Sequence, residues 1–306
     1  MQGIEAAVPG LPARWYRDME RLPKGARESL EEIRIKIGRP VYLYGGGGEY
    51  VLESTARRPV DKELMNVICN SLFNHSVYAY QEDLASGYIT LDSGCRVGFC
   101  GRAVLEENRV RTLRDISSLN IRRARELPGI SQRCYPYLVD SAGCFYNTLI
   151  VSPPKCGKTT LLRDLIRNLS CHGFKVGVCD ERNEIAGASD SGFSYDLGDR
   201  SDVLSGCPKE KGMMMLIRSM APDIISTDEI GREEDCAALS SAVTAGIGLL
   251  TTIHGASYGD LLQSGIRSLV KRGVFQRLVF LSCRPTTGTI SAVCSWDNRK
   301  VAGPIC

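Results

Sequence analysis

The chain has 306 residues, of which 43% are hydrophobic and 24% are charged, enough to bury one large core or two smaller ones. Its formal net charge is only +3, so composition alone does not indicate a protein that coats nucleic acid or an acidic membrane. The 13 cysteines are unevenly spaced, with no C-x-x-C pair and no signal-peptide pattern before them. These features argue against a zinc site and predict reduced thiols in a cytoplasmic protein.

Short strands dominate the N-terminal part of the chain. The segments EIRIKI and VYLY, followed by the glycine run Gly45–Gly48, predict a hairpin, and residues 61–73 have the apolar spacing of an amphipathic helix. Two more strands are predicted at Gly87–Thr90 and Arg96–Phe99. Residues 1–135 are therefore predicted to form a small α+β domain.

Arginines are concentrated near the end of this domain, with few aromatic residues between them. The cluster could be a solvated basic face, a source of arginines that complete a neighbouring subunit's site, or a strip that binds nucleic acid or anionic lipid. Its members are Arg109, Arg111, Arg114, Arg122, Arg123 and Arg125.

Strands and helix-length segments alternate over residues 136–306, which predicts a mostly parallel sheet with helices on both faces. The uncharged segment 236–253 is long enough to span a membrane, but its Gly-x-Gly break predicts a helix, a turn and a buried strand instead. The predicted strands are Thr148–Val151, Val176–Cys179, Ile224–Thr227, Leu249–Ile253 and Leu278–Ser282.

The segment VSPPKCGKTTLLRDLI at 151–166 has the pattern of a P-loop, in which a buried strand leads through a tight loop into a helix. Lys158 is predicted to bind the β- and γ-phosphates of ATP, and the Thr159 hydroxyl to bind Mg²⁺. Ser152 replaces the usual first glycine, and a chance match at a strand–helix junction is the alternative interpretation. The backbone amides predicted to surround the phosphates are those of Lys155, Cys156, Gly157, Lys158, Thr159 and Thr160.

Carboxylates follow two of the predicted strands. Asp228 and Glu229 end the strand in APDIISTDEIGR, where Asp228 would hold Mg²⁺ and Glu229 would polarise the attacking water. Asp180, Glu181 and Glu184 follow the strand in VCDERNEIAG and would order water around the γ-phosphate. Alternatively, Asp228 and Glu229 could be solvated acids at the start of a helix. The acids after the other strand could form an exposed turn paired with Arg182.

His254 ends a third strand, in LLTTIHGAS, and could be either a hydrogen-bonded structural residue or a sensor of the γ-phosphate. Cys156 lies inside the predicted phosphate-binding loop, where a helix N-terminus lowers thiol pKa values and oxidation would block nucleotide.

Five ordered motifs, together with N-terminal segments such as RVGFCGRAV, resemble the stage III sporulation protein AA family of endospore-forming bacteria over about residues 30–290. That family is similar to the RecA-like ATPases of type II and type IV secretion and of pilus assembly. One departure from the secretion enzymes is Asp228, at a position where they often have glycine. The five motifs are SPPKCGKTTLLRDL, VCDERNEIAG, GCPKEKGMMMLIRSMAPDII, TDEIGREED and TTIHGAS.

The resemblance implies a RecA-like P-loop ATPase with ATP and Mg²⁺ as cofactors, assembled as a homo-oligomer in the form of a hexameric ring. It further implies peripheral attachment, on the mother-cell side, to a membrane complex that links mother cell and forespore. Its N-terminal domain would contact neighbouring subunits. The residues to which the resemblance gives roles are Asp180, Glu181 and Glu184 as an acidic box, Glu229 as the Walker B glutamate, His254 as a histidine box, Arg218 as the arginine before the Walker B strand, and Arg96, Arg102 or Arg114 as an arginine acting in trans.

The sequence thus predicts an ATP-driven motor in which the N-terminal domain acts as a lever. Two other functions remain open at this point. A RecA-like ATPase could act on single-stranded nucleic acid through the arginine cluster. A small-molecule kinase would need an acceptor pocket and would leave the acidic box and His254 without a task.

Overall fold

A computed structural model of the chain describes residues 8, 10–73, 81–91, 93, 95–123, 127–189 and 192–303. Contacts between Cα atoms divide the chain into two compact units. The first comprises Met1–Arg125 with Gly187–Ser194, and the second comprises Glu126–Ala186 with Tyr195–Cys306. The division lies earlier in the chain than the predicted boundary near residue 135.

The first unit contains an antiparallel sheet with the strand order β3-β2-β1-β6-β5-β4. Trp15, Ile33, Ile68 and Ile121 are fully buried in its apolar core. Its strands are β1 (Leu30–Lys36), β2 (Tyr42–Gly45), β3 (Gly48–Val51), β4 (Tyr88–Thr90), β5 (Cys95–Glu106) and β6 (Arg109–Arg123). Its helices are α1 (Ala13–Glu20), α2 (Lys24–Glu28), α3 (Glu53–Arg57), α4 (Lys62–Leu72) and α5 (Gln81–Ser86).

Local sequence accounts for most of these elements. Helix α4 begins at Lys62 because the Asp61 carboxylate caps it, accepting a hydrogen bond from the Leu64 amide at 2.8 Å. The predicted helix over 61–73 and the hairpin around the glycine run are confirmed. Strand β6 was not predicted, because its alternating arginines have the appearance of a charged surface segment.

Strands β5 and β6 form a long hairpin whose far half, beyond about Cys100, is largely exposed. Glu107 and Asn108 at its tip both have positive φ, 47° and 63°, as a tight two-residue hairpin turn requires. Arg102 pairs directly with Arg114 across this exposed hairpin. Two like charges opposite one another destabilise a hairpin unless an anion or a partner lies near them.

The second unit contains a sheet with the strand order β11-β8-β12-β13-β7-β14-β15-β16. The first six strands in this order are parallel to one another, and β15 and β16 are added antiparallel at the β14 edge. The strands are β7 (Thr148–Ser152), β8 (Val176–Asp180), β11 (Ser201–Ser205), β12 (Ile224–Thr227), β13 (Gly248–His254), β14 (Arg277–Ser282), β15 (Thr289–Ser295) and β16 (Lys300–Ala302). The short strands β9 (Ala188–Ser189) and β10 (Gly192–Phe193) pair with each other in the segment grouped with the first unit.

Apolar side chains cover both faces of this sheet. Leu149 and Ile150 are consecutive on β7 but belong to two different buried clusters, since successive side chains of a strand point to opposite faces. The five predicted strands and the predicted parallel sheet are confirmed. The helices are α6 (Lys158–Cys171), α7 (Lys209–Met220), α8 (Glu233–Thr244), α9 (Tyr258–Gln263) and α10 (Arg267–Lys271).

The uncharged segment 236–253 forms most of α8, a turn and β13, as predicted. Throughout the described residues, no helix combines the length and the apolar character that crossing a bilayer requires.

Helix α6 holds the start of the second unit through the buried carboxylate of Asp164. This carboxylate accepts hydrogen bonds from the amides of Gly129 at 2.9 Å and Ser131 at 2.8 Å, and from the Arg167 guanidinium at 2.9 Å. Burial raises the pKa of Asp164, but the bonds from Ser131, Gly129 and Arg167 outweigh it and hold that pKa below its ordinary value.

We expect Asp164→Ala to lower the free energy of unfolding by about 3 kcal/mol, because two backbone amides would lose their acceptor. Guanidinium unfolding at neutral pH measures the change. Since the folded-state pKa is depressed, the contribution is present above the unfolded pKa and is lost as pH falls through the folded pKa. Asp140→Ala is the control, because Asp140 accepts two similar amide bonds, at 2.9 and 2.8 Å, that are exposed to solvent, and their loss should cost less than about 1 kcal/mol. Equal losses in the two variants would contradict the prediction.

Candidate nucleotide-binding site

The loop between β7 and α6 is shaped like an anion cradle. Lys155 and Gly157 have φ angles of 62° and 85°, so two residues of the loop have positive φ before the helix begins. A Cβ on Gly157 would lie 3.4 Å from the Gly288 Cα, and the positive φ of Gly157 would strain any other residue there. No acceptor among the described residues receives a hydrogen bond from the amides of residues 155–160. These amides, at the positive end of α6, are available to an anion.

Ser152, which stands where most P-loops have glycine, is the buried last residue of β7. Its hydroxyl donates a hydrogen bond to the carbonyl of the next residue, Pro153, at 2.7 Å, so this buried hydroxyl has a hydrogen-bond partner. Thr159 and Thr160 lie in the first turn of α6, directly after the loop.

Lys158 points from the first turn of α6 toward the end of β13. Its ammonium lies 2.7 Å from Nδ1 and 3.1 Å from Nε2 of His254. Burial lowers the pKa of Lys158, against the opposing charges of Glu229, Asp228 and Glu184. An anionic ligand in direct contact with the Lys158 ammonium would offset this desolvation.

Glu229 follows β12 in a left-handed conformation, with a φ of 46°. Its amide donates to the Thr252 hydroxyl at 2.9 Å, which ties the strained turn to β13. The carboxylate oxygens are held on two sides, Oε2 by the Arg182 guanidinium at 2.8 Å and Oε1 by His254 Nε2 at 3.1 Å. Burial raises the pKa of Glu229, but His254, Arg182 and Lys158 together leave it below its ordinary value.

Asp228 is only 1% exposed, and neither of its carboxylate oxygens has a hydrogen-bond partner in the part of the chain that the structure describes. Burial raises the pKa of Asp228 to about 7, although Lys209 acts in the opposite direction. Orphaned buried oxygens of this kind fit a cation. Among the described residues no three His, Cys, Asp or Glu side chains converge on a metal position, so Mg²⁺ would need phosphate or water ligands as well.

The three predicted acids lie at the end of β8 and in the turn after it, but they have different surroundings. Asp180 is fully buried, and its carboxylate accepts hydrogen bonds from the amides of Glu184, Ile185 and Ala186 at 2.9, 3.0 and 2.8 Å. It therefore shapes the turn. Glu181 and Glu184 remain at the edge of the site, and Glu181 lies 3.5 Å from the Lys209 ammonium.

Three basic residues of the site were not among the predicted site residues. Lys209, at the start of α7, is buried and donates to the Glu229 carbonyl at 2.9 Å. Arg163 of α6 donates to the carbonyls of Ile185 and Glu184, each at 2.8 Å, and so supports the acidic turn from below. Arg182 pairs with Glu229. Each of the three lies inside one of the five motifs, and that position was their sequence signal.

Arg218 is not brought to this site. It is exposed in the last turn of α7, about 14 Å along the helix from Lys209 at 1.5 Å per residue. Arg96, Arg102 and Arg114 lie on β5 and β6 of the first unit.

Cys156 and Cys283 form a disulfide with a Cα–Cα distance of 5.1 Å. The prediction of reduced thiols is wrong for this pair, although ten other described cysteines are free. The physical reason is the parallel pairing of β14 with β7, which brings the residue after β14 beside the loop that follows β7. The disulfide thus ties the β7–α6 loop to the end of β14.

Reducing this disulfide is expected to destabilise the protein by up to about 5 kcal/mol, because the bond closes a sequence separation of 127 residues and restricts the unfolded chain. Thermal unfolding with and without dithiothreitol measures the effect. Cys283→Ser should unfold at the lower temperature in both conditions, whereas Cys207→Ser, which changes a free thiol, should behave like the parent protein. A parent protein that is insensitive to reductant would contradict the prediction.

The parallel sheet, the β7–α6 loop and the acidic strand ends define the fold of a P-loop ATPase of the secretion class. Solved structures with this fold include the ATPase DotB of Yersinia pseudotuberculosis, with a TM-score of 0.57 and 15% identity over 90% of this chain and 74% of that one. DotB of Legionella pneumophila has a TM-score of 0.53 and 18% identity over 96% of this chain and 81% of that one. The pilus retraction motor PilT with bound ADP has a TM-score of 0.55 and 12% identity, and the match covers 86% of this chain and 77% of that one.

Residues 14–301 match the family model described as sporulation stage III, protein AA. Stage III sporulation protein AA of Bacillus subtilis (strain 168) is 41% identical over 299 residues, which cover 95% of each chain. The uncharacterized protein ycf45 of Cyanidium caldarium is 31% identical over 260 residues, which are 84% of this chain and 70% of that one. The chain belongs to the stage III sporulation protein AA family, and the predicted resemblance and fold class are confirmed.

Proposed function

We propose that this protein is a Mg²⁺-dependent ATPase that drives a secretion-like membrane complex between mother cell and forespore. The observation that carries the proposal is the β7–α6 loop, whose amides at residues 155–160 donate to no acceptor among the described residues and whose Lys158 contacts His254, which in turn contacts Glu229. Membership of a sporulation family and a fold shared with secretion ATPases support the cellular setting.

In this proposal the amides of residues 155–160 and the Lys158 ammonium bind the phosphates of ATP, and Lys158 leaves His254 to do so. Thr159 and Asp228 would hold Mg²⁺, which supplies charge neutralisation at the phosphates when it is bound. Glu229 orients a water molecule and accepts its proton. Glu181, Glu184 and His254 position the water and the terminal phosphate.

The proposed assembly is a homo-oligomer, a hexameric ring, attached peripherally to the membrane on the mother-cell side. Residues 1–135 would contact neighbouring subunits and membrane proteins of the complex, and one of Arg96, Arg102 and Arg114 would act on a neighbour's nucleotide. Residues 136–306 would hold the ATPase site. Arg218 lies outside the site of its own chain, so its proposed role is at the site of another subunit.

Single-stranded nucleic acid is a second candidate partner. The pairing of Arg102 with Arg114 on the exposed β5–β6 hairpin favours an acidic partner of some kind. A nucleic-acid ATPase should be stimulated by single-stranded DNA, and the stimulation should fall steeply as salt rises.

One experiment separates these functions. ATP turnover and sedimentation are measured for the full chain alone, with the cytoplasmic parts of candidate membrane proteins, and with single-stranded DNA over a range of salt. Faster turnover of a ring-sized species with the membrane proteins supports the motor. Salt-sensitive stimulation by DNA alone supports the nucleic-acid enzyme, and a chain without ATP turnover in every condition contradicts both.

A further inference from the structure

Arg182 contacts Glu229 but has no part in the mechanism above. Its Nη1 donates to Glu229 Oε2 at 2.8 Å, and among the described residues it makes no other hydrogen bond or ion pair. Its side chain is 47% exposed. Ion pairs with this exposure contribute only about 0–1 kcal/mol to stability, so the contact is easily exchanged for a stronger one.

The guanidinium lies at the end of a continuous chain of polar contacts. Lys158 meets His254 at 2.7 Å, His254 meets Glu229 at 3.1 Å, and Glu229 meets Arg182 at 2.8 Å. If Lys158 binds the β- and γ-phosphates, the same phosphates come within reach of the long, half-exposed Arg182 side chain. A phosphate is also the better partner, because its oxygens match the guanidinium in a bidentate arrangement.

The charges of the site point the same way. Five carboxylates surround it, and an incoming triphosphate adds further negative charge that needs cations. Lys209 cannot turn toward a ligand, because it is buried between Glu181 and the Glu229 carbonyl. Arg182 is half exposed and held by one contact, so it can turn. The carboxylates are those of Asp180, Glu181, Glu184, Asp228 and Glu229.

We propose that Arg182 binds the terminal phosphate of a nucleoside triphosphate in its own subunit, and that Glu229 holds it until the nucleotide arrives. The inference rests on the proposed function. Moving Arg182 to the phosphate releases Oε2 of Glu229, the atom that would then accept a proton from water. A diphosphate lacks the terminal phosphate, so it would leave Arg182 on Glu229.

The test compares equilibrium affinities of the full chain for ADP and for a non-hydrolysable ATP analogue. Arg182→Ala should bind ADP within about twofold of the parent protein, which also shows that it folds, and should bind the analogue at least about tenfold more weakly. The affinity of Arg182→Lys for the analogue should lie between those of Arg182→Ala and the parent protein, because lysine keeps the positive charge but lacks the planar guanidinium. Arg299→Ala removes another arginine from an exposed carboxylate, Asp297 at 2.9 Å, and should match the parent protein.

Two results would overturn the inference. An Arg182→Ala variant with an unchanged ratio of the two affinities would make Arg182 a structural partner of Glu229. Tighter binding of the analogue with faster ATP turnover would make it a brake on Glu229. Failure of the proposed function gives a different result, because the parent protein would then bind neither nucleotide, or Lys158→Ala would bind both as well as the parent does.

Discussion

Lys158→Ala is expected to weaken ATP binding about 100-fold or more. The ammonium would make charge-assisted hydrogen bonds to two phosphates, each worth about 1.5–3 kcal/mol, and tenfold in affinity corresponds to about 1.4 kcal/mol. Equilibrium binding of a fluorescent ATP derivative measures the loss, and circular dichroism checks that the variant folds. Lys158 is buried, so Lys158→Met, which keeps most of the side-chain volume, should lose affinity equally.

Lys175→Ala is the matched control for this prediction. Lys175 lies on the surface of the same unit, 3.8 Å from the Asp223 carboxylate and 2.9 Å from the Ala221 carbonyl, outside the site. Its replacement should leave ATP affinity within about twofold of the parent value. Normal ATP binding by Lys158→Ala would show that the β7–α6 loop is not the nucleotide site.

Glu229→Gln is expected to reduce ATP turnover by about 10²–10⁴-fold while leaving ATP affinity nearly unchanged. Glutamine has the same shape and can still accept a hydrogen bond from Arg182, but it does not take a proton from water at neutral pH. Nucleotide extracted from the isolated complex and separated by chromatography should be ATP in this variant and ADP in the parent protein.

Glu234→Gln provides the control, because Glu234 is an exposed acid in the first turn of α8, five residues further along the chain. It should turn over ATP at the parent rate. If Glu229→Gln hydrolyses ATP as fast as this control does, another group is the general base.

Much of the second unit follows from local sequence. Its five predicted strands are short apolar runs with β-branched residues, and each is bounded by a turn signal or a helix-length segment. The predicted grouping of Lys158, Glu229 and His254 also has a local origin, since each follows or ends a strand of one parallel sheet. The carboxyl ends of such strands lie at the same edge.

Elements whose pattern is shared by two structures were harder to predict. Strand β6 alternates arginines with apolar residues, as a charged surface segment also can, and pairing with β1 and β5 makes it a strand. Strand β11 was missed because its SDVLS sequence is half polar, and it is held as an edge strand by parallel pairing with β8.

The fold class and the residue types of the proposed nucleotide site can thus be read from consecutive residues, because strand periodicity and a loop-to-helix transition are local properties of a chain. The partners of those residues cannot. Arg182 reaches Glu229 across 47 positions and Cys156 reaches Cys283 across 127, and both contacts depend on the order in which the crossover connections lay the strands side by side. That order is set by the packing of helices on both faces of the sheet. It depends on the apolar area buried over the whole unit, which no short segment of sequence determines.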